Sequence, residues 1–181
     1  HLDEEITADD IAKHIDLQID VNVKGVMFGT HFAAKHMMRY GRGHIINIAS
    51  LAGVAPIPGV AVYSASKFAV RGFSLSIAGD LRKYGIYVTA VCPDGVRTPM
   101  LDREASHEEA ALCFSGPRLL TPVDIERAII EDVIPNQPLE CLIPSDKTRG
   151  VQAKIVNAFP EVATMLVDFF KKKGIQKQKA Y

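Results

Sequence analysis

The spacing of apolar residues changes several times along the chain, and each change marks an expected boundary between a helix and a strand. Apolar residues that recur every three or four positions predict amphipathic helices, whereas short continuous apolar runs predict strands buried on both faces of a parallel sheet. Helices are expected over residues 2–17, 19–38, 63–84, 121–133 and 150–170. Strands are expected over residues 43–49, 86–91 and 140–143.

Capping and helix-breaking residues predict where several of these helices begin and end. Thr7 is a candidate N-cap for the first helix, since two aspartates follow it in the first turn. Pro122 occupies the expected first position of the fourth helix. Pro160 interrupts the last helical pattern and is expected to kink or split it. The basic tail from 171 to 181 is expected to be frayed and solvated.

Length and composition indicate one domain without a strongly charged surface. A chain of 181 residues can bury a sizeable core, and we assign residues 1–150 to the domain and 151–181 to a C-terminal helix and tail. The formal net charge is +0, so no nucleic-acid partner is expected. Three cysteines without metal or redox spacing favour a cytoplasmic protein. No apolar run approaches the ~18 to 20 residues that span a bilayer, and no membrane contact is expected.

The candidate chemistry lies between Ser50 and Lys67, where a strand is expected to give way to a loop and then a helix. Ser50 follows an apolar run, and α/β sheets bind their ligands at the ends of strands. Tyr63 and Lys67 are four residues apart, so they share one face of a helix. A nearby ammonium group lowers the pKa of a phenol, which can then exchange a proton with an alcohol or carbonyl oxygen. The hydroxyl of Ser50 can hold the same oxygen in place.

A tyrosine and a lysine at this spacing also have a purely structural interpretation, as a packed ring with a lysine lying along it. A motif as short as this one can arise by chance. The upstream serine and the Pro/Gly-rich loop favour a catalytic role over the structural one. A serine hydrolase is disfavoured, because Ser50 lacks a surrounding Gly-x-Ser-x-Gly turn. His107 and its acidic neighbours are interpreted as a solvated face, so no metal ligand is assigned.

Four segments, in this order and spacing, resemble those of the short-chain dehydrogenase/reductase family. They are 20–25 (DVNVKG), 47–50 (NIAS), 63–67 (YSASK) and 91–98 (VCPDGVRT). The resemblance covers residues 1 to about 145. It implies a Rossmann-type α/β fold, with a doubly wound parallel sheet and helices on both faces. It also implies NAD(P)-dependent interconversion of a secondary alcohol and a carbonyl.

The resemblance implies a role for each candidate residue. Tyr63 is the implied acid/base, Lys67 lowers its pKa and holds the nicotinamide ribose, and Ser50 orients the substrate oxygen. Asn22 is implied to fix a water that links Lys67 to solvent, although an asparagine can also serve there as a helix-start cap or surface amide. The cofactor, NAD or NADP, is expected to contact Tyr63, Lys67, Pro93, Val96 and Thr98.

Two features depart from the family's pattern. Asp94 stands where the family usually has glycine, which places a carboxylate near the expected nicotinamide. The family's glycine-rich phosphate turn does not occur in these 181 residues. We therefore expect a part of a longer chain, with an apolar sheet edge exposed in this part alone. A structural or regulatory protein that binds no cofactor stays open as the second interpretation, and Thr98 can also be a helix cap ahead of Pro99.

The resemblance extends to partners. The two long helices, here about 22–38 and 63–84, commonly pair across a two-fold axis in this family, so a homodimer or homotetramer is expected. Residues 100–120 correspond to the family's substrate lid, which is mobile and sets specificity. Apolar residues there and in 54–60 favour a lipophilic alcohol or ketone as the small-molecule substrate.

Overall fold

Strands and helices alternate along the chain, as the apolar pattern predicts. The computed structural model describes residues 7–104 and 107–180. The described helices are α1 (Ala8–Ile19), α2 (Gly25–Met37), α3 (Ala61–Arg82), α4 (Pro99–Glu104), α5 (Pro122–Ala128), α6 (Ile134–Asn136), α7 (Lys147–Ala158) and α8 (Pro160–Gln178). The described strands are β1 (Gly43–Ile48), β2 (Ile86–Pro93) and β3 (Glu140–Ile143). No helix in this part of the chain combines the length and apolar character needed to cross a membrane.

The three described strands form one parallel sheet in the order β1-β2-β3. Gly43 of β1 lies opposite Ile86 of β2, and Val91 of β2 lies opposite Cys141 of β3. Since the strands are parallel, their carboxyl ends share one edge of the sheet, where ligands of open α/β sheets bind. Ser50 follows β1 at this edge, and Asp94 follows β2.

Helices cover both faces of the sheet, which confirms the predicted α/β class. On one face, side chains of α2 and α3 pack on β1 and β2: Ala34, Ile45, Ile77, Ala78, Leu81, Ile86 and Val88. On the other face, β2 and β3 pack against α5 and the π-helical turn that follows it: Val91, Ile125, Ala128, Val133, Cys141 and Ile143. Alternate residues of a strand point to opposite faces, which is why neighbouring apolar positions serve different clusters.

The β1 side of the sheet is open within the described residues. β1 pairs with β2 alone there, and Ile48 near its end is 42% exposed. The prediction that β1 is buried on both faces is therefore wrong for this residue, while the expected apolar edge is present. Large apolar side chains are also exposed on the two helices that precede β1: Ile11, Ile15, Leu17, Phe28 and Phe32.

The first two helices are joined more closely than the sequence pattern predicts. Thr7 caps α1 as expected, because its hydroxyl accepts the amide of Asp10 at 3.2 Å and the Asp10 carboxylate completes a capping box. A π-helical turn over Asp20–Lys24 then links α1 to α2 without a break. This turn carries Asn22, one of the candidate site residues.

The C-terminal tail is helical where the sequence predicted fraying. Pro160 splits the pattern into α7 and α8 as expected, but α8 continues to Gln178. The tail is ordered because it packs on the 3₁₀ segment Glu108–Phe114, with the backbone of Gly174 against the carbonyl of Ala111. A side chain at position 174 would collide there. The proposed division between residues 150 and 151 falls inside α7.

Candidate active site

Ser50 lies just beyond β1, in an extended conformation that caps the short 3₁₀ turn Leu51–Gly53. Its hydroxyl oxygen accepts the amide of Ala52 at 3.1 Å. The same hydroxyl donates to the carbonyl of Pro93 at the end of β2, at a long 3.5 Å. The strand end and the turn thus fix the position of Ser50 while leaving its proton weakly engaged.

Tyr63 and Lys67 lie in the first turns of α3, which begins at Ala61, two residues earlier than expected. Lys67 Nζ donates to the carbonyl of Ile48 at 3.2 Å and lies 5.6 Å from the centre of the Tyr63 ring. The turn after Ser50 approaches α3 closely, since a Cβ on Gly53 would stand 2.5 Å from the carbonyl oxygen of Lys67. This contact brings the strand end and the motif helix together.

Burial is the largest influence on the electrostatics of this cluster. It raises the pKa of the Tyr63 phenol, the Ser50 side chain lowers that pKa, and the nearby Cys113 raises it. Burial also lowers the pKa of Lys67. Lowering of the Tyr63 pKa by Lys67 stays a prediction, and burial of the phenol acts against it.

Asn22 reaches the same helix from the π-helical turn. Its amide nitrogen donates to Ser66 Oγ at 3.1 Å, and Ser66 Oγ donates to the carbonyl of Tyr63 at 2.7 Å. Asn22 is therefore neither a helix-start cap nor a simple surface amide. Its side chain joins the α1–α2 junction to the turn of α3 that carries Tyr63 and Lys67.

The segment after β2 offers groups that fit a nicotinamide carboxamide. Val96 lies opposite Leu120 in an isolated parallel β-bridge. The amide of Leu120 donates to the carbonyl of Gly95, and the amide of Arg97 donates to the carbonyl of Leu120. The amide and carbonyl of Val96 itself therefore point to the opposite side. The oxygen of Thr98 accepts the amide of Leu101 at 3.4 Å, so it caps α4 and still has a hydroxyl proton to donate.

Asp94 turns away from the position that the sequence suggested for its carboxylate. Arg149 of α7 donates to the Asp94 carboxylate through Nε at 2.6 Å and Nη2 at 2.9 Å, and Ser145 donates to the same carboxylate through Oγ at 2.6 Å. Its backbone φ is not in the left-handed region, nor is that of Gly95. A residue without glycine's freedom therefore fits here, and the carboxylate is neutralised by a guanidinium.

Sequence reasoning missed several residues that hold the site together, namely Ser66, Ser115, Ser145 and Arg149. Small hydroxyl residues carry no periodic signal, and Arg149 lies 55 residues from Asp94. The one available signal was the aspartate itself, since a carboxylate next to a buried strand end requires a cation or several donors. Within residues 7–104 and 107–180, no group of three or more His, Cys, Asp or Glu could hold a metal ion.

Comparison with known proteins decides the family. The family model for short chain dehydrogenases matches residues 3–109, more than half of the chain. The chain belongs to this family. It therefore shares the Rossmann-type fold that the arrangement of its sheet and helices indicates.

Named relatives of this short-chain dehydrogenase act on alcohols. Cyclopentanol dehydrogenase of Comamonas testosteroni is 34% identical over 119 residues, which cover 64% of this chain and 48% of the relative. The 3-alpha-(or 20-beta)-hydroxysteroid dehydrogenase of Mycobacterium tuberculosis is 45% identical over 84 residues, 46% of this chain and 32% of the relative. The chain thus spans about half the length, or less, of these curated relatives.

Solved structures with bound nicotinamide cofactors share the fold. ElxO with NADP bound has a TM-score of 0.64 at 27% identity, and the match covers 82% of this chain and 61% of the ElxO chain. 4-Hydroxyisoleucine dehydrogenase complexed with NADH has a TM-score of 0.59 at 28% identity, and the match covers 80% of this chain and 62% of that dehydrogenase chain.

Proposed function

We propose that this short-chain dehydrogenase interconverts a secondary alcohol and its carbonyl by hydride transfer to or from NAD or NADP, with Tyr63 as the acid/base. The observation that carries the proposal is the meeting of Ser50, Tyr63 and Lys67 at the carboxyl edge of the sheet. The Ser50 side chain is near enough to lower the pKa of the Tyr63 phenol, and the Lys67 ammonium lies 5.6 Å from the centre of the Tyr63 ring. No packing requirement of α3 calls for all three polar groups at this position.

The reaction divides between the residues as follows. When bound, NAD or NADP supplies the hydride acceptor for oxidation and the hydride donor for reduction. Tyr63 takes the hydroxyl proton from the alcohol, or returns it to the carbonyl oxygen. Ser50 holds that oxygen beside the phenol. The cation of Lys67 favours the phenolate once it is freed from the Ile48 carbonyl.

Asn22 and the segment after β2 complete the proposed assignment. Asn22 supports proton exchange between Lys67 and solvent from its position beside Ser66. Pro93, Val96 and Thr98 bind the carboxamide end of the cofactor, and Tyr63 and Lys67 its ribose. The free faces of the Val96 amide and carbonyl and the donor proton of Thr98 support this placement.

The names of the relatives support a lipophilic substrate. Cyclopentanol and hydroxysteroids are both alicyclic secondary alcohols, and the apolar residues of the loop 54–60 agree with such a ligand. We extend the proposal to a homodimer or homotetramer, because Phe28 and Phe32 leave an apolar surface on α2. The cysteine usage supports a cytoplasmic location.

The test is direct titration and turnover with the full-length protein. Binding of NAD and of NADP is measured by calorimetry, and oxidation of cyclopentanol by the appearance of reduced nicotinamide at 340 nm. Saturable binding of one cofactor together with alcohol-dependent reduction is expected. Failure to bind either cofactor would favour the structural or regulatory alternative.

One argument for a structural or regulatory protein without a cofactor is weakened by the structure. Asp94 in place of glycine suggested a turn unable to bind the cofactor, but the Asp94 carboxylate is bound by Arg149 and Ser145. The turn therefore carries no exposed negative charge from this residue toward a bound nicotinamide.

A further inference from the structure

A largely buried ion pair, Asp94–Arg149, links the end of β2 to α7 and, through Ser115, to residues 107–117. Asp94 is 9% exposed, and five donor groups reach its carboxylate. They are Arg149 Nε and Nη2, the amide and hydroxyl of Ser145, and the amide of Gly95. So many donors on one carboxylate make this the most constrained polar contact beside the site.

The third nitrogen of the same guanidinium reaches a different part of the chain. Arg149 Nη1 donates to Ser115 Oγ at 2.9 Å, and Ser115 Oγ donates to the carbonyl of Leu112 at 2.7 Å. Ser115 is 3% exposed and ends the 3₁₀ segment whose Cys113 influences the pKa of Tyr63. One guanidinium group therefore contacts both the turn after β2 and residues 107–117.

The residues 107–117 are held from a second side by α8. Gln178 Nε2 donates to the carbonyl of His107 at 2.7 Å, and Lys177 Nζ donates to the carbonyls of Gly116 and Pro117. Gly116 also packs tightly on Ser145, since a Cβ there would lie 2.7 Å from Ser145 Oγ. The segment expected to be a mobile lid therefore has fixed ends.

We propose that Asp94 and Arg149 are a positioning pair that fixes residues 107–117 as a wall of the substrate site beside Tyr63. This inference rests on the proposed alcohol dehydrogenase function. A small cavity of about 90 Å³ lies where this wall meets the loop before α3, lined by Pro58, Gly59, Leu112 and Lys171. The pair sets the distance between the wall and that loop, and thereby the fit of the carbon skeleton of the alcohol.

The geometry of arginine provides the sharpest variant. Lysine carries one nitrogen, so Arg149→Lys can keep a charge contact with Asp94 but cannot also reach Ser115. Ser115→Ala removes the branch to the wall and leaves the ion pair intact. Arg118→Lys is the matched control, since Arg118 makes an exposed two-pronged contact with Asp124 just outside the same segment.

The experiment combines hydrogen–deuterium exchange with kinetics on the full-length protein. Arg149→Lys and Ser115→Ala should each raise deuterium uptake in 107–117 about 3-fold or more at a fixed early time. Each should also raise the KM for cyclopentanol about 5- to 10-fold, with kcat and the cofactor Kd within about 2-fold of the parent. Arg118→Lys should change neither quantity.

Each outcome decides. Unchanged exchange in both variants overturns the proposal, because α8 alone then holds the segment. Raised exchange with an unchanged KM overturns the assignment of the segment as a substrate wall. If the parent protein turns over no alcohol, the proposed function fails, and exchange still decides whether the pair fixes residues 107–117.

Discussion

Two neighbouring regions at the carboxyl edge of the sheet are built in opposite ways. The motif cluster of Ser50, Tyr63 and Lys67 is half-buried, and its hydrogen bonds measure 3.1, 3.2 and 3.5 Å. In the Asp94–Arg149 pair the carboxylate is buried and the guanidinium is partly buried, and the two are joined by contacts of 2.6 and 2.9 Å. The first region is recognisable from its spacing in sequence, and the second joins residues 55 positions apart that no motif connects.

The difference separates reactive groups from supporting ones. A group that must exchange a proton with substrate needs unused bonding capacity, so loose contacts suit Ser50 and Tyr63. A group that holds two segments in place gains from saturated contacts. Substitutions in the first region should therefore lower kcat, and those in the second should lower stability and raise the KM for the alcohol while leaving kcat nearly unchanged.

Tyr63→Phe should give the largest effect, a loss of about 10³-fold in kcat for alcohol oxidation, because phenylalanine keeps the ring and removes the acid/base. The melting temperature should stay within about 2 °C of the parent. Tyr40→Phe is the control, since Tyr40 is exposed and distant in sequence from the motif. Turnover retained by Tyr63→Phe would sink the mechanism.

Arg149→Met should lower the free energy of unfolding by about 3 to 5 kcal/mol, because it leaves the Asp94 carboxylate buried without its cation. Urea denaturation followed by circular dichroism measures the loss. Adding Asp94→Gly to the same protein should recover most of it, since the unpaired charge is then gone. A double variant no more stable than Arg149→Met would contradict the argument.

The fold and the motif cluster were accessible from sequence, for a physical reason. Strand burial and helix periodicity are local properties, as is the four-residue spacing that aligns Tyr63 with Lys67. Asp94 and Arg149 could not be paired in advance, because the contact depends on how α7 returns to β2. The ordered end of α8 was missed likewise, since its partner, the segment around Ala111, lies some 60 residues earlier.

Lys67→Met should have a smaller and divided effect. Turnover should fall about 10- to 100-fold and its alkaline rise should move to higher pH, because the phenol, whose pKa burial already raises, loses its cation. Stability should increase by roughly 0.5 to 1 kcal/mol near pH 7, since a partly buried charge is removed.

The sign of this second effect follows from the direction of the shift. Burial lowers the pKa of Lys67 in the folded protein, so folding is penalised while the lysine is charged, and the penalty disappears as pH rises toward the unfolded value of about 10.4. The advantage of Lys67→Met should therefore shrink between neutral pH and pH 10.5. Melting temperatures measured across that range test it, and an advantage that grows with pH would contradict it.

Phe32→Ser should have the smallest effect on stability, because Phe32 is 73% exposed on α2. We expect a change within about 0.5 kcal/mol, together with a fall in the mass of the assembly measured by light scattering, since α2 lies on the proposed subunit interface. Phe159→Ser is the matched control, as Phe159 is 61% exposed at the junction of α7 and α8 and should leave the mass unchanged. Phe32→Ser could instead lower the free energy of unfolding by more than about 2 kcal/mol without altering the mass. The ring would then be covered within its own subunit, and α2 would be packed as closely as the region around Asp94.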